Sequence, residues 1–133
     1  MSRSEWDKKK GDVKEYEGPR RWDKWEADLV GPVEVLKIQK ILDAMESLMV
    51  IFFNYDGSDR VVAPFVMGAS STNNPLLRGY QLEGVSRSGK GPGWRVFQVW
   101  KMENLENYNE YFEPDDFDFQ EFYPWIYRVL KML

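Results

Sequence analysis

Between residues 33 and 49 apolar side chains recur every three or four positions. Val35, Ile38, Leu42, Met45 and Met49 form a stripe, Leu36, Ile41 and Leu48 widen it, and Glu34, Lys37, Lys40, Asp43 and Glu46 occupy the other side. That period predicts an amphipathic helix. Gly31-Pro32 marks its start, because a proline in the first turn forfeits no helical hydrogen bond. The pattern then changes. Val50 to Tyr55 is rich in β-branched and aromatic residues, Asp56-Gly57 suits a tight hairpin turn, and Arg60 to Val66 is the returning strand. Pro64 cannot donate to a ladder and marks an edge or a bulge. A polar turn over 69–74 leads to a strand over Leu76 to Glu83, and the glycine-rich stretch from Gly84 to Gly93 favours mobility over packing. Trp94, Val96, Gln98, Trp100 and Met102 alternate with Arg95, Phe97, Val99 and Lys101, the period of a strand. Residues 103–121, interrupted by Pro114, read as a long connection, and Phe122 to Leu130 as a final strand. Five short strands behind one helix predict a mainly β, α+β domain in which the sheet closes into a small barrel.

Composition narrows the function classes. The chain of 133 residues has the size of one domain, and with 43% hydrophobic and 16% aromatic residues it can bury a core. It contains neither cysteine nor histidine. Thiolate metal sites, disulfides, the usual general base and the Ser-His and Cys-His nucleophile pairs are therefore all absent, and no nucleophile-base pair or cofactor motif takes their place. The expectation is a protein that is not an enzyme and needs no cofactor. No apolar run is long enough to span a bilayer, and the start lacks the apolar stretch of a signal peptide. A cytoplasmic location, bacterial or in the host cell of a phage, and no membrane partner are expected.

The net charge is −4, but it is unevenly spread. Residues 1–31 carry eight basic and eight acidic side chains with few aliphatics, a balanced leader expected to be flexible, in which Trp22 and Trp25 offer a partner-binding face if helical. The domain proper is assigned to 32–133. Its middle is basic, with Arg60, Arg78, Arg87, Lys90, Arg95 and Lys101 against Asp56, Asp59 and Glu83, and eight acidic residues with no basic one follow over 103–121. Arg60, Arg78 and Arg95 fall on three successive strands, where antiparallel pairing can bring them to one face. Guanidinium forks suit phosphate, Tyr80 can stack on a base, and Ser70, Ser71 and Lys90 can add donors from loops. On an ordinary surface the same arginines would pair with neighbouring carboxylates instead.

The acidic stretch admits readings of its own. Glu113, Asp115, Asp116 and Asp118 lack the spacing and central glycine of a calcium loop, so no metal site is expected. Interleaved with Tyr108, Tyr111, Phe112, Phe117 and Phe119, they can instead mimic nucleic acid toward another protein's basic groove. Gly89-Lys90-Gly91-Pro92-Gly93 is not a phosphate loop, since Ser or Thr does not follow the lysine.

From about Val35 to Met102 the chain resembles a WYL domain, an SH3-like or Sm-like barrel of bacterial and phage regulators. The resemblance rests on the helix leading into Asn54-Tyr55-Asp56-Gly57, on Arg60-Val61-Val62-Ala63-Pro64-Phe65, Leu76-Leu77-Arg78-Gly79-Tyr80-Gln81, and Gly93-Trp94-Arg95-Val96-Phe97. Of the tripeptide that names the family only the leucine is kept, at Leu77 within Pro75-Leu76-Leu77, and no winged helix-turn-helix precedes the barrel. The resemblance implies a stand-alone or phage-type regulatory module binding a nucleotide or single-stranded nucleic acid, with Arg60, Tyr80 and Arg95 matching the family's arginine, aromatic and arginine on successive strands. The competing class is a protein-interaction module, such as a phage inhibitor of a CRISPR-type defence system, working through the acidic belt or the Trp-bearing leader. A homodimer through barrel edges remains open.

Overall fold

The computed structural model describes residues 32–84, 91–119 and 125–133. The leader with Trp22 and Trp25, the loop residue Lys90, and the start of the expected final strand lie outside the described residues. The chain runs α1 (Pro32–Ser47), β1 (Met49–Tyr55), β2 (Ser58–Ala69), β3 (Pro75–Glu83), β4 (Gly93–Gln98), a one-turn 3₁₀ helix at Val99–Lys101, β5 (Glu103–Tyr111), a second 3₁₀ turn at Pro114–Asp116, and β6 (Arg128–Met132). Among the described residues the architecture is mainly β with one helix, as the sequence patterning predicts. The strands described there number six rather than five. They form one antiparallel sheet in the order β4-β3-β2-β1-β5, with β6 on β2.

The helix buries Ile38, Ile41, Ala44 and Met45 on the sheet and stops where Leu48 enters the left-handed region, its N–H bonded to the Met45 carbonyl. Met49, the last member of the expected helical stripe, is therefore the first residue of β1. At Asp56-Gly57 both residues have positive φ, 50° and 81°, which matches the right-handed twist of the flanking strands.

The long strand β2 changes partners. On one side it pairs with β1 as far as Val62, then with β6 from Val66 onward. On the other it pairs with β3, with a register shift between Pro64 and Val66. Pro64 thus sits at a bulge between two partners, where its missing N–H is tolerated. The bend curls the sheet. β1 and β4 are three strands apart in the order, roughly 14 Å if flat, yet the Phe53 and Phe97 ring centroids are 5.0 Å apart. The two ends of the sheet are joined through the 3₁₀ turn at Val99–Lys101 rather than by a ladder.

The sheet buries both of its faces. The inner face, with Ile51, Phe53, Val62, Met67, Leu77 and Phe97, packs on α1. On the outer face Phe65 meets the rings of Trp94, Phe112, Phe117 and Phe119, and Ile126 and Val129 join the same cluster. Gly68 lets β6 come this close, because a Cβ there would overlap the Arg128 carbonyl and lie 2.7 Å from Ile126 Cγ2. Gly68→Val is expected to cost about 1–3 kcal/mol through overpacking, read as a lower urea midpoint; an unchanged midpoint contradicts this docking.

Candidate functional site

The β1–β2 hairpin delivers Arg60 to the inner face, directly opposite Phe53. Its side chain is only 3% exposed. Nε donates to Ser58 Oγ at 2.8 Å, Nη1 to Gln81 Oε1 at 3.0 Å and Nη2 to the Tyr55 carbonyl at 3.2 Å, and the guanidinium lies 5.4 Å from the Tyr55 ring centroid and 6.0 Å from that of Phe97. Burial lowers its pKa from the ordinary arginine value; Asp56 and Tyr55 oppose that shift and the neighbouring charge of Arg95 adds to it. Every acceptor Arg60 bonds is neutral.

Arg95 shares that face, opposite Gly79, while Gln81 stands two residues further along β3, opposite Gly93. The Arg95 guanidinium folds back over Gly93, where Nη1 donates to the Trp94 carbonyl at 2.9 Å and Nη2 to the Gly91 carbonyl. Its Nε is buried with no acceptor, and so is Nε2 of Gln81, a side chain fully out of solvent. Among the described residues, neither Arg60 nor Arg95 has a carboxylate within ion-pair distance. Lys101 adds a third cation, 2.9 Å from Asp56 and 5.0 Å from the Tyr55 ring centroid, and the Tyr55 hydroxyl accepts from the Gln98 N–H at 2.9 Å. The patch therefore holds three cations, one carboxylate and two donors without acceptors. Chemically it calls for oxygen acceptors carrying negative charge.

The expected convergence of three arginines is corrected by the register. Arg78 pairs with Val96 and Tyr80 with Trp94, so both point to the outer face, opposite Arg60 and Arg95. There the Arg78 guanidinium lies 5.1 Å from the Trp94 ring centroid. Tyr80 is packed against Trp94 and Phe117, with centroids at 5.4 and 5.1 Å, rather than presented for stacking. Ser70 is at the far end of β2, where its Oγ accepts from the Thr72 and Asn74 N–H groups and shapes the β2–β3 turn.

The acidic connection is in part a strand. Glu113, Asp115, Asp116 and Asp118 are exposed around the second 3₁₀ turn while Phe112, Phe117 and Phe119 pack inward. No group of three acidic residues placed to hold a metal occurs among the described residues. Sequence reasoning missed Gln81, Tyr55 and Lys101 as site residues. Gln81 carried a signal, being a polar residue at the parity of Leu77 and Gly79 in an otherwise apolar inward row.

No family model matches the chain, and no curated protein matches it. Among solved structures it is similar to proteasome accessory factor B/C (PafBC) of Arthrobacter aurescens, with 22% identity and a TM-score of 0.48 over 62% of this chain and 13% of that one. The matched part is thus a small fraction of that protein's length. Among the described residues no helix is long and apolar enough to cross a membrane.

Proposed function

We propose that this domain is a non-enzymatic, cytoplasmic regulatory or accessory module of WYL type that binds single-stranded nucleic acid or a nucleotide-type anion on the face carrying Arg60, Gln81, Arg95 and Lys101. The observation that carries this reading is the unbalanced donor set: two adjacent arginines without a carboxylate partner, beside buried N–H groups of Gln81 and Arg95 that lack an acceptor. Buried polar groups in folded proteins are nearly always satisfied, and a phosphate docking on the accessible part of Arg95 brings acceptors to this donor-rich face. Phosphate supplies both the charge and the acceptor lone pairs. The sequence resemblance to WYL domains points to the same ligand class.

The test is fluorescence anisotropy of labelled single-stranded DNA and RNA at low and moderate salt. Saturable binding is expected, weakening roughly 10–20-fold for a fourfold rise in salt if about three phosphates are neutralised. Absence of saturable binding at low salt, or binding indifferent to salt, overturns the proposal.

A further inference from the structure

At the far end of β2 from Arg60, a groove of about 490 Å³ opens between the β2–β3 turn, β4 and the residues that lead into β6. None of its lining residues is charged. Trp125 and Tyr127 stand along it, 66% and 44% exposed. Ile126, buried between them in the outer core, and the Tyr127 N–H, bonded to the Ala69 carbonyl at 2.8 Å, fix that stretch to the sheet. Two rings are thus held out to solvent on an anchored backbone.

The groove wall opposite has a defined polarity. Gln98 Oε1 accepts from the Trp100 indole N–H at 3.0 Å, and an indole nitrogen can only donate. The same oxygen accepts from Asn74 Nδ2 at 3.0 Å. Both amide orientations follow: Gln98 turns Nε2, a donor, and Asn74 turns Oδ1, an acceptor, away from their shared bond. A donor beside an acceptor, next to exposed aromatic rings in a groove whose own lining is uncharged, is complementary to the edge and face of a nucleobase.

We propose that this groove is a base subsite, in which a nucleobase stacks on Trp125 or Tyr127 and pairs its edge with Gln98 and Asn74. The proposal rests on the nucleic-acid reading above and divides its labour, the uncharged groove taking a base and the cationic face taking phosphates. Arg95 and Gln98 project from opposite faces of β4, so a ligand that engages both must wrap the strand. A chain of several nucleotides does this, and a mononucleotide does not.

The experiment compares a labelled single-stranded DNA of about ten residues, within the site size of small barrels, with an abasic oligonucleotide of the same length and phosphate count. The protein is expected to bind the base-bearing strand at least about fivefold more tightly. The double change Trp125→Ala, Tyr127→Ala, both at exposed positions, is expected to erase that preference and leave abasic binding unchanged. Equal affinity of the unaltered protein for both strands, or a preference that survives the double change, overturns the base subsite while leaving the phosphate face intact. If neither strand binds, the phosphate reading fails and free adenosine decides the groove: saturable tryptophan quenching that is lost in Trp125→Ala supports it, and no quenching overturns it.

Discussion

Arg95→Glu is expected to weaken single-stranded nucleic-acid binding by about 100-fold or more, on the scale of losing a desolvated charge contact, while Arg78→Gln leaves it within about twofold. The contrast follows from register alone. Both arginines lie mid-strand, one register step apart on the paired strands β3 and β4, but only Arg95 shares a face with Arg60 and Gln81. A glutamate at 95 would place a carboxylate beside Arg60, supplying internally the acceptor that the ligand is proposed to bring, and would repel the phosphate as well. Folding should survive, because Arg95 bonds only two carbonyls of its own neighbourhood, those of Gly91 and Trp94; a thermal melt close to that of the unaltered protein is the control. Unaltered binding by Arg95→Glu, or an equal loss in Arg78→Gln, would place the ligand elsewhere.

That pair also marks the limit of what the sequence could reveal. The helix, the Asp56-Gly57 hairpin and the bulge at Pro64 were legible because each depends on local chemistry: a 3.6-residue period, a pair of residues suited to positive φ, and a missing N–H. Facing is different, since it depends on which residue of β3 meets which residue of β4, and a slip of one residue would have turned Arg95 to the side of Arg78. Strand β5 was hidden for another physical reason. Between Met49↔Tyr111 and Ile51↔Asn107, and again between Phe52↔Glu106 and Asn54↔Glu103, β5 holds extra residues, and Asn109 and Asn104 adopt the left-handed conformation there, with φ of 62° and 57°. Each bulge breaks the alternation by which a strand is recognised. Leu105 is the one buried residue in β5, so burial leaves little trace in its sequence. The expected strand through Met102 likewise ended at Gln98: the 3₁₀ turn that follows buries Val99 and leaves Trp100 54% exposed.

Arg60→Ala is expected to lower folding stability by about 1–3 kcal/mol, the range for leaving a buried polar group without its partner, read as a shift in the urea midpoint. Three hydrogen bonds disappear together with two ring contacts. The loss does not end at the deleted side chain, because Gln81, already without an acceptor for Nε2, would lose the partner of Oε1 and become an amide buried with neither end bonded. Arg60→Lys should recover only part of the stability: one ammonium carries charge into the site but cannot span Ser58, Gln81 and the Tyr55 carbonyl as a planar fork does. A cost below about 1 kcal/mol for Arg60→Ala, as at an exposed charge, would mean that the guanidinium is not the internal brace its three bonds describe. The two arginines of the inner face thus separate by assay. Arg60 builds the floor, so its removal shows first in stability, whereas Arg95, more exposed and bonded only to local carbonyls, should show in binding with little change in folding.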